Sequence, residues 1–318
     1  MNKGVNTERG VENMPGGVAA GEAVISIHQM EKRFKGFRLD IPELNIPKGF
    51  ATALIGENGA GKSTLINVLA GVRLDYKGDI NYFQGETDNG RIRERIAYTG
   101  TGNYFLPHWT VAQVGEVSEI LFDNFSAEKY HQFCRELGIE LGMGKKKDKG
   151  ISKLSDGMRT KVMLAGAFAR ESSMLLMDEP ASPLDPLMRD RLCDMIRNYL
   201  EEGEGERSVF FSTHNIADME NVTDYAIIME QGTVVEQGFV EDLKEKYVLV
   251  KGEAAHARAA EAVMFSFQQN TYGFEGLCLA DKVERLAGMD VSMERPTLSQ
   301  ISVAVMKKYS TLQMGRGV

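Results

Sequence analysis

The chain has 318 residues, 43% hydrophobic and 26% charged, with a formal net charge of −8 at pH 7. That is the composition of a soluble globular protein with core enough for roughly two domains. The acidic balance gives no basic footprint for nucleic acid and argues against direct binding to an anionic membrane surface. No apolar run approaches the roughly 18 residues of a membrane-spanning helix, and no apolar secretory segment opens the chain. Cys134, Cys193 and Cys278 are scattered, odd in number and without metal-ligand spacing, which fits a reducing compartment.

Residues 1–22 are rich in Gly, Asn, Glu and small side chains without periodicity, and are expected to be disordered. Residues 23–27 read as the first strand. Phe34 follows, read locally either as core or as an aromatic that could stack on a base, an interaction worth roughly 1–3 kcal/mol. Ala51–Ile55 reads as a buried strand, and Leu65–Ala70 as a helix beginning at Lys62. Between them lies Gly56-Glu57-Asn58-Gly59-Ala60-Gly61-Lys62-Ser63-Thr64, which fits the phosphate-binding pattern G-x-x-x-x-G-K-[ST] in its required strand–loop–helix setting. Gly56, Gly59 and Gly61 let backbone N–H groups converge on phosphate oxygens, and the helix start favours the same anion. Lys62 is then placed to reach the β- and γ-phosphates, and Ser63 to ligate Mg²⁺.

Downstream, residues 78–83 and 95–99 read as strands around a polar loop through Asn89-Gly90. Val111–Phe122 and Ser126–Leu137 carry apolar residues at helical spacing, with Ser126 an N-cap, and suggest a helical insertion. Tyr104, Phe105 and Trp109 at its start are candidate contact aromatics or core, and Lys145–Lys149 reads as a solvated loop. Ser155 in Leu154-Ser155-Asp156-Gly157-Met158 is read as the cap of a further helix. Met174–Met177 is a strand ending in Asp178 and Glu179, at the sheet edge where open α/β sheets hold ligands. Asp178 suits a magnesium shell and Glu179 the polarising of water. Asp185 with Pro186 reads as N-cap and first helical residue. Val209–Thr213 is another buried strand, with His214 just past its end, and Gln231-Gly232 marks a hairpin. Past Tyr247 the motifs stop. Residues 248–250, 272–279 and 289–293 are candidate strands of a small α+β unit, closed by a helix that opens at the capping box Thr297–Gln300.

In order and spacing, residues 23–245 resemble the nucleotide-binding subunit of ABC transporters. Gly56–Thr64 looks like the Walker A motif, Leu154–Met158 like the ABC signature and Met174–Glu179 like Walker B. Ser182–Asp185 resembles the D-loop, His214 the H-loop and Phe34 the A-loop aromatic. The resemblance implies a P-loop α/β fold with a RecA-like core, an antiparallel β subdomain and a helical subdomain over about 103–165, followed by a small C-terminal α+β unit over 246–318. It implies ATP and Mg²⁺ as cofactors. ATP would be held by Phe34, Gly56, Asn58, Gly59, Gly61, Lys62, Ser63 and Thr64, and from the other protomer by Ser155, Gly157 and Asp185. Metal contacts would be Ser63, Asp178 and Thr101, and the catalytic set Glu179, His214 and Lys62. The signature departs from the family pattern at Asp156 and Met158, and Thr101 stands where the Q-loop glutamine is expected. The signature variant and the tail opening Arg295–Leu298 look most like ATPase subunits of ABC-2-type exporters. The expected partners are an integral membrane permease and a second ATPase subunit, identical or not, at the cytoplasmic face of the membrane. The competing reading is a soluble ABC ATPase acting on ribosomes or DNA.

Overall fold

The computed structural model describes residues 17–100, 102, 105–140 and 150–314. β1 (Ala23–Phe34) and β2 (Phe37–Pro47) form an antiparallel hairpin that meets at Phe34 and Phe37. β3 (Ala51–Ile55) leads into α1 (Lys62–Leu69), and β4 (Lys77–Tyr82) returns to pair with β1, giving the antiparallel order β2-β1-β4. α2 (Asn89–Arg95) precedes β5 (Ile96–Thr99). Then α3 (Val111–Leu121), α4 (Ala127–Glu136) and α5 (Asp156–Phe168) intervene before β6 (Met174–Met177). α6 (Pro186–Glu201), β7 (Ser208–Thr213), β8 (Tyr225–Glu230) and β9 (Thr233–Phe239) complete a six-stranded sheet of order β5-β6-β7-β3-β8-β9. Its strands are parallel except for β9, which closes the hairpin expected at Gln231-Gly232.

The central strands β3, β6, β7 and β8 are buried at every position because both faces of the sheet are covered. Ala53, Ile55, Leu175, Met177, Val209, Phe211 and Ile228 enter one core with α4, α5 and α6. Their alternating neighbours Leu54, Leu176, Phe210, Ile227 and Met229 enter a second core with α1 and the β1–β2 hairpin. Each such fully buried side chain contributes on the order of 1.5–3 kcal/mol. The helix signals are met by real caps. Ser126 accepts from Lys129 N–H, Ser155 from Met158 N–H and Asp185 from Met188 N–H, while Thr110 and Gln113 form a reciprocal capping box.

After α7 (Val240–Lys246) come β10 (Tyr247–Glu253), α8 (Ala257–Glu261), β11 (Ser266–Gln269), β12 (Gly273–Leu279), β13 (Val291–Glu294) and α9 (Leu298–Met314). The strands form an antiparallel sheet of order β11-β12-β10-β13. Thr297 and Gln300 exchange hydrogen bonds as the capping box requires, and Glu220 accepts from Leu298 and Ser299 N–H at 2.9 and 3.3 Å. α9 shares the first core with the six-stranded sheet through Ile301 and Val305.

Three sequence expectations need correction. Asn89-Gly90 does not lie in a loop but starts α2, because Asp88 accepts from Arg91 N–H and Arg170 donates to the Arg93 and Glu94 carbonyls at the other end. β11 was not among the expected strands. Within the stretch expected to be disordered, Val18 packs on the second core, its carbonyl accepts from Asn45, and Glu22 accepts from Lys48 N–H. Of the two readings open for Phe105 and Trp109, the packing supports core, since both are partly buried against the first core. Tyr104 and Lys145–Lys149 lie outside the described residues.

Candidate functional site

Because β6, β7 and β3 are adjacent and parallel, their C-terminal ends open on one edge. The phosphate-type loop leaves β3 there, Asp178 and Glu179 leave β6, and His214 leaves β7. Gly61 caps α1 at φ 105°, a left-handed conformation that a side chain would strain, and a Cβ there would also meet the Phe37 ring at 2.9 Å. No side chain caps α1, so its first N–H groups face the cleft without that competitor.

Lys62 is buried. Its Nζ donates to the Gly56 and Glu57 carbonyls at 2.8 and 3.2 Å and stands 3.4 Å from Glu179 Oε1. Glu179 Oε2 lies 2.7 Å from His214 Nδ1. The glutamate therefore spans the lysine and the histidine, and it does so with a left-handed backbone, φ 51°. Such a conformation costs a non-glycine residue on the order of 1 kcal/mol, and functional sites are where such strain collects.

Asp178 Oδ1 accepts from Ser63 Oγ at 3.1 Å and from Ser212 Oγ at 2.6 Å. Its other oxygen, Oδ2, is buried with no hydrogen-bond partner. An orphaned buried carboxylate oxygen is costly unless a cation satisfies it. With a serine hydroxyl on the same carboxylate, this all-oxygen set has the chemistry that a magnesium ion takes. Ser63 and Asp178 thus fit the metal expected of them. Thr101 lies outside the described residues.

The cleft beside these groups measures about 430 Å³ and is lined by Phe34, Phe37, Asn58, Gly59, Gly61, Lys62, Ser63, Thr64 and Glu179. Phe34 is 39% exposed, so it is rim rather than core. Its ring lies 6.0 Å from that of Phe37, with Lys32 Nζ and Arg73 Cζ at 5.1 and 5.2 Å. The sequence signals did not single out Phe37 or Ser212. Phe37 could have been found as the aromatic just across the tight hairpin turn from Phe34. Ser212 is a buried polar residue that follows the apolar Val209–Phe211 run near the C-terminal end of β7.

Ser155, Gly157 and Asp185 do not line this cleft. Ser155 is exposed at the start of α5, and a Cβ on Gly157 would meet the Pro183 carbonyl at 2.8 Å, so the signature-like and D-loop-like segments touch each other instead. On the far side of the loop, Glu230 is only 4% exposed, with Oε2 unpartnered. Burial, and secondarily the Glu57 carboxylate, push its own carboxyl above the ordinary glutamate range.

The ABC transporter family model matches residues 39–182. That span runs from β2 through the phosphate loop, the signature-like helix and the Asp178–Glu179 pair. The chain contains an ABC transporter ATP-binding domain. This cassette is 28% identical over 201 residues to the glutamine transport ATP-binding protein GlnQ of Escherichia coli K12, covering 62% of this chain and 82% of that protein. It is also 26% identical over 247 residues to ATP-binding cassette sub-family A member 13 of Homo sapiens, covering 76% of this chain but 5% of that much longer protein. Among solved structures, the ATP-binding subunit of an ABC transporter superposes with a TM-score of 0.60 at 24% identity, covering 70% of this chain and 92% of that one. A dimeric ATP-binding cassette bound to ADP and Pi gives 0.57 at 18% identity, covering 68% and 98%. These structures share the cassette's fold. The cassette is an ATP-binding enzyme of the ABC ATPase class.

Proposed function

We propose that this chain is the ATP-hydrolysing subunit of an ABC exporter, driving a separate membrane permease from the cytoplasmic face. The observation that carries the reading is Glu179, held between Lys62 and His214 at the mouth of the phosphate cleft. The loop N–H groups and Lys62 bind the phosphates of ATP, and Phe34 and Phe37 offer the base a platform. Lys62 exchanges its contact with Glu179 for phosphate oxygens, which frees the carboxylate to orient a water for attack on the γ-phosphorus. His214 steadies that carboxylate and the charge spreading over the transferred group. Ser63 and Asp178 would hold magnesium, which would supply charge neutralisation at the phosphates.

Ser155, Gly157 and Asp185, which lie outside the cleft, would act on nucleotide held by a second subunit, so two copies close around two nucleotides. Residues 23–245 would work as the cassette, and 246–318 as an appended α+β unit. Among the described residues no helix is long and apolar enough to cross a membrane, so the transport path would belong to the permease. Export follows from the likeness of the signature variant and tail to ABC-2-type exporter ATPases. Import is the competing direction, since GlnQ and the thiamine import ATP-binding protein ThiQ are among the relatives.

The test uses tagged Glu179→Gln protein with ATP and Mg²⁺. Turnover is expected to fall by roughly 10²-fold or more, with an ATP-dependent dimer on size-exclusion chromatography. Capture from solubilised membranes should recover a multi-spanning protein. Wild-type turnover in the variant removes the catalytic assignment. Recovery of ribosomes or only soluble partners removes the transporter assignment.

A further inference from the structure

Ser212 occupies a position where the strand pattern calls for an apolar side chain. Phe210, two residues earlier, enters the core against α1. Ser212 points the same way, pairs with Leu54 of β3 and is completely buried. A lone buried serine in a strand ordinarily satisfies itself on a nearby carbonyl. This one instead bonds two groups of the reaction centre, 33 and 34 residues away in the chain.

A hydroxyl has one hydrogen to give. Ser212 gives it to Asp178 Oδ1 at 2.6 Å and accepts from Glu179 N–H at 2.9 Å. Ser63 also reaches Oδ1, at 3.1 Å, and Oδ2 is left buried without a partner. Both hydroxyls therefore sit on one carboxylate oxygen and none on the other. The second bond holds the Glu179 backbone at φ 51°, the conformation that carries its side chain to Lys62 and His214.

We infer that Ser212 is the positioning residue of this centre: it fixes which Asp178 oxygen is presented to the metal and, through the Glu179 amide, where the base stands. The inference rests on Mg²⁺-dependent ATP hydrolysis by this chain. Metal site and base then share a single hydroxyl as their reference point. Loss of that hydroxyl lets Asp178 rotate and lets Glu179 relax to negative φ.

The experiment compares wild type, Ser212→Ala and Ser212→Thr, with folding checked by circular dichroism. Mn²⁺ affinity is read by electron paramagnetic resonance in the presence of ADP, and binding of a fluorescent ATP analogue is read in EDTA. Ser212→Ala should weaken Mn²⁺ binding about tenfold or more and lower kcat comparably, as loss of an outer hydrogen bond to a ligating carboxylate does. Metal-free nucleotide binding should stay unchanged, and Ser212→Thr, which keeps the hydroxyl, should restore both properties. If the alanine protein fails to fold, Ser212→Cys preserves the volume with a poor donor and must show the same Mn²⁺ defect. Wild-type Mn²⁺ affinity and kcat in folded Ser212→Ala, or an equal defect in folded Ser212→Thr, overturns the inference. Wild-type protein that does not hydrolyse ATP with Mg²⁺ would instead remove the reading beneath it.

Discussion

The six-stranded sheet and the C-terminal four-stranded sheet solve the same burial problem differently. In the first, β3, β6 and β7 are buried at every residue, with side chains alternating between two cores. In the second, β11 is half-buried to exposed and β13 mostly exposed, while β10 and β12 send Leu249 and Leu277 into the first core and Val250, Phe274 and Cys278 into a small core of their own. A sheet covered on both faces holds its strand ends rigidly, and the residues of the candidate site stand on such ends. The sheet with exposed edge strands carries no recognised motif. Depth of burial along the strands, rather than sheet size, separates the two.

The sharpest way to test that contrast is Lys62→Ala, on the rigid edge. It should lower kcat/KM for ATP by roughly 10²–10³-fold without shifting the thermal melt, measured by coupled phosphate release. Next come paired core truncations, Leu176→Ala in β6 and Leu286→Ala in the C-terminal core, both at most 1% exposed. Each should destabilise by about 3 kcal/mol in urea melts. Only Leu176→Ala should also depress ATP turnover below its melting range. Equal loss of turnover from Leu286→Ala would show that both sheets act as one body. The smallest effect is expected from Glu230→Gln. Burial raises the folded-state pKa of Glu230, so between the unfolded and folded values the native state binds more protons, and stability falls as pH rises through that window. The glutamine variant should therefore melt higher than wild type near pH 8, with the gain vanishing below the ordinary glutamate pKa. A gain that persists at low pH would contradict the burial argument.

Much of the cassette was legible because double-sided burial writes largely apolar runs such as Ala51–Ile55 and Met174–Met177, each leading into the loop residues at the sheet edge. α2 was not legible. Asn89-Gly90-Arg91-Ile92-Arg93 has no apolar period, and its stabilising Arg170 lies far downstream. β11 was missed for the matching reason: Ser266-Phe267-Gln268-Gln269 is half-exposed and two of its residues are polar amides. At the site, residue types at fixed spacing revealed Lys62, Ser63, Asp178 and Glu179. Ser212 was hidden, because a serine's meaning depends on partners that only the sheet brings beside it.

The turn between β8 and β9 has a consequence for how the protein is made. Gly232 N–H donates to the Ala60 carbonyl of the phosphate loop, and the Gly232 carbonyl accepts from Asp40 N–H of β2, at 2.9 and 2.8 Å. A Cβ at Gly232 would stand 2.0 Å from the Arg38 carbonyl, so only glycine passes there. The strand that feeds the loop is flanked by β7 and β8, whose residues are translated long after it. Domains fold as units during synthesis, and such distant pairings form late. The contacts that seat the loop near the start of the cassette thus come from residues as far along the chain as Gly232. A cassette cut short before residue 232 would lack both of these hydrogen bonds.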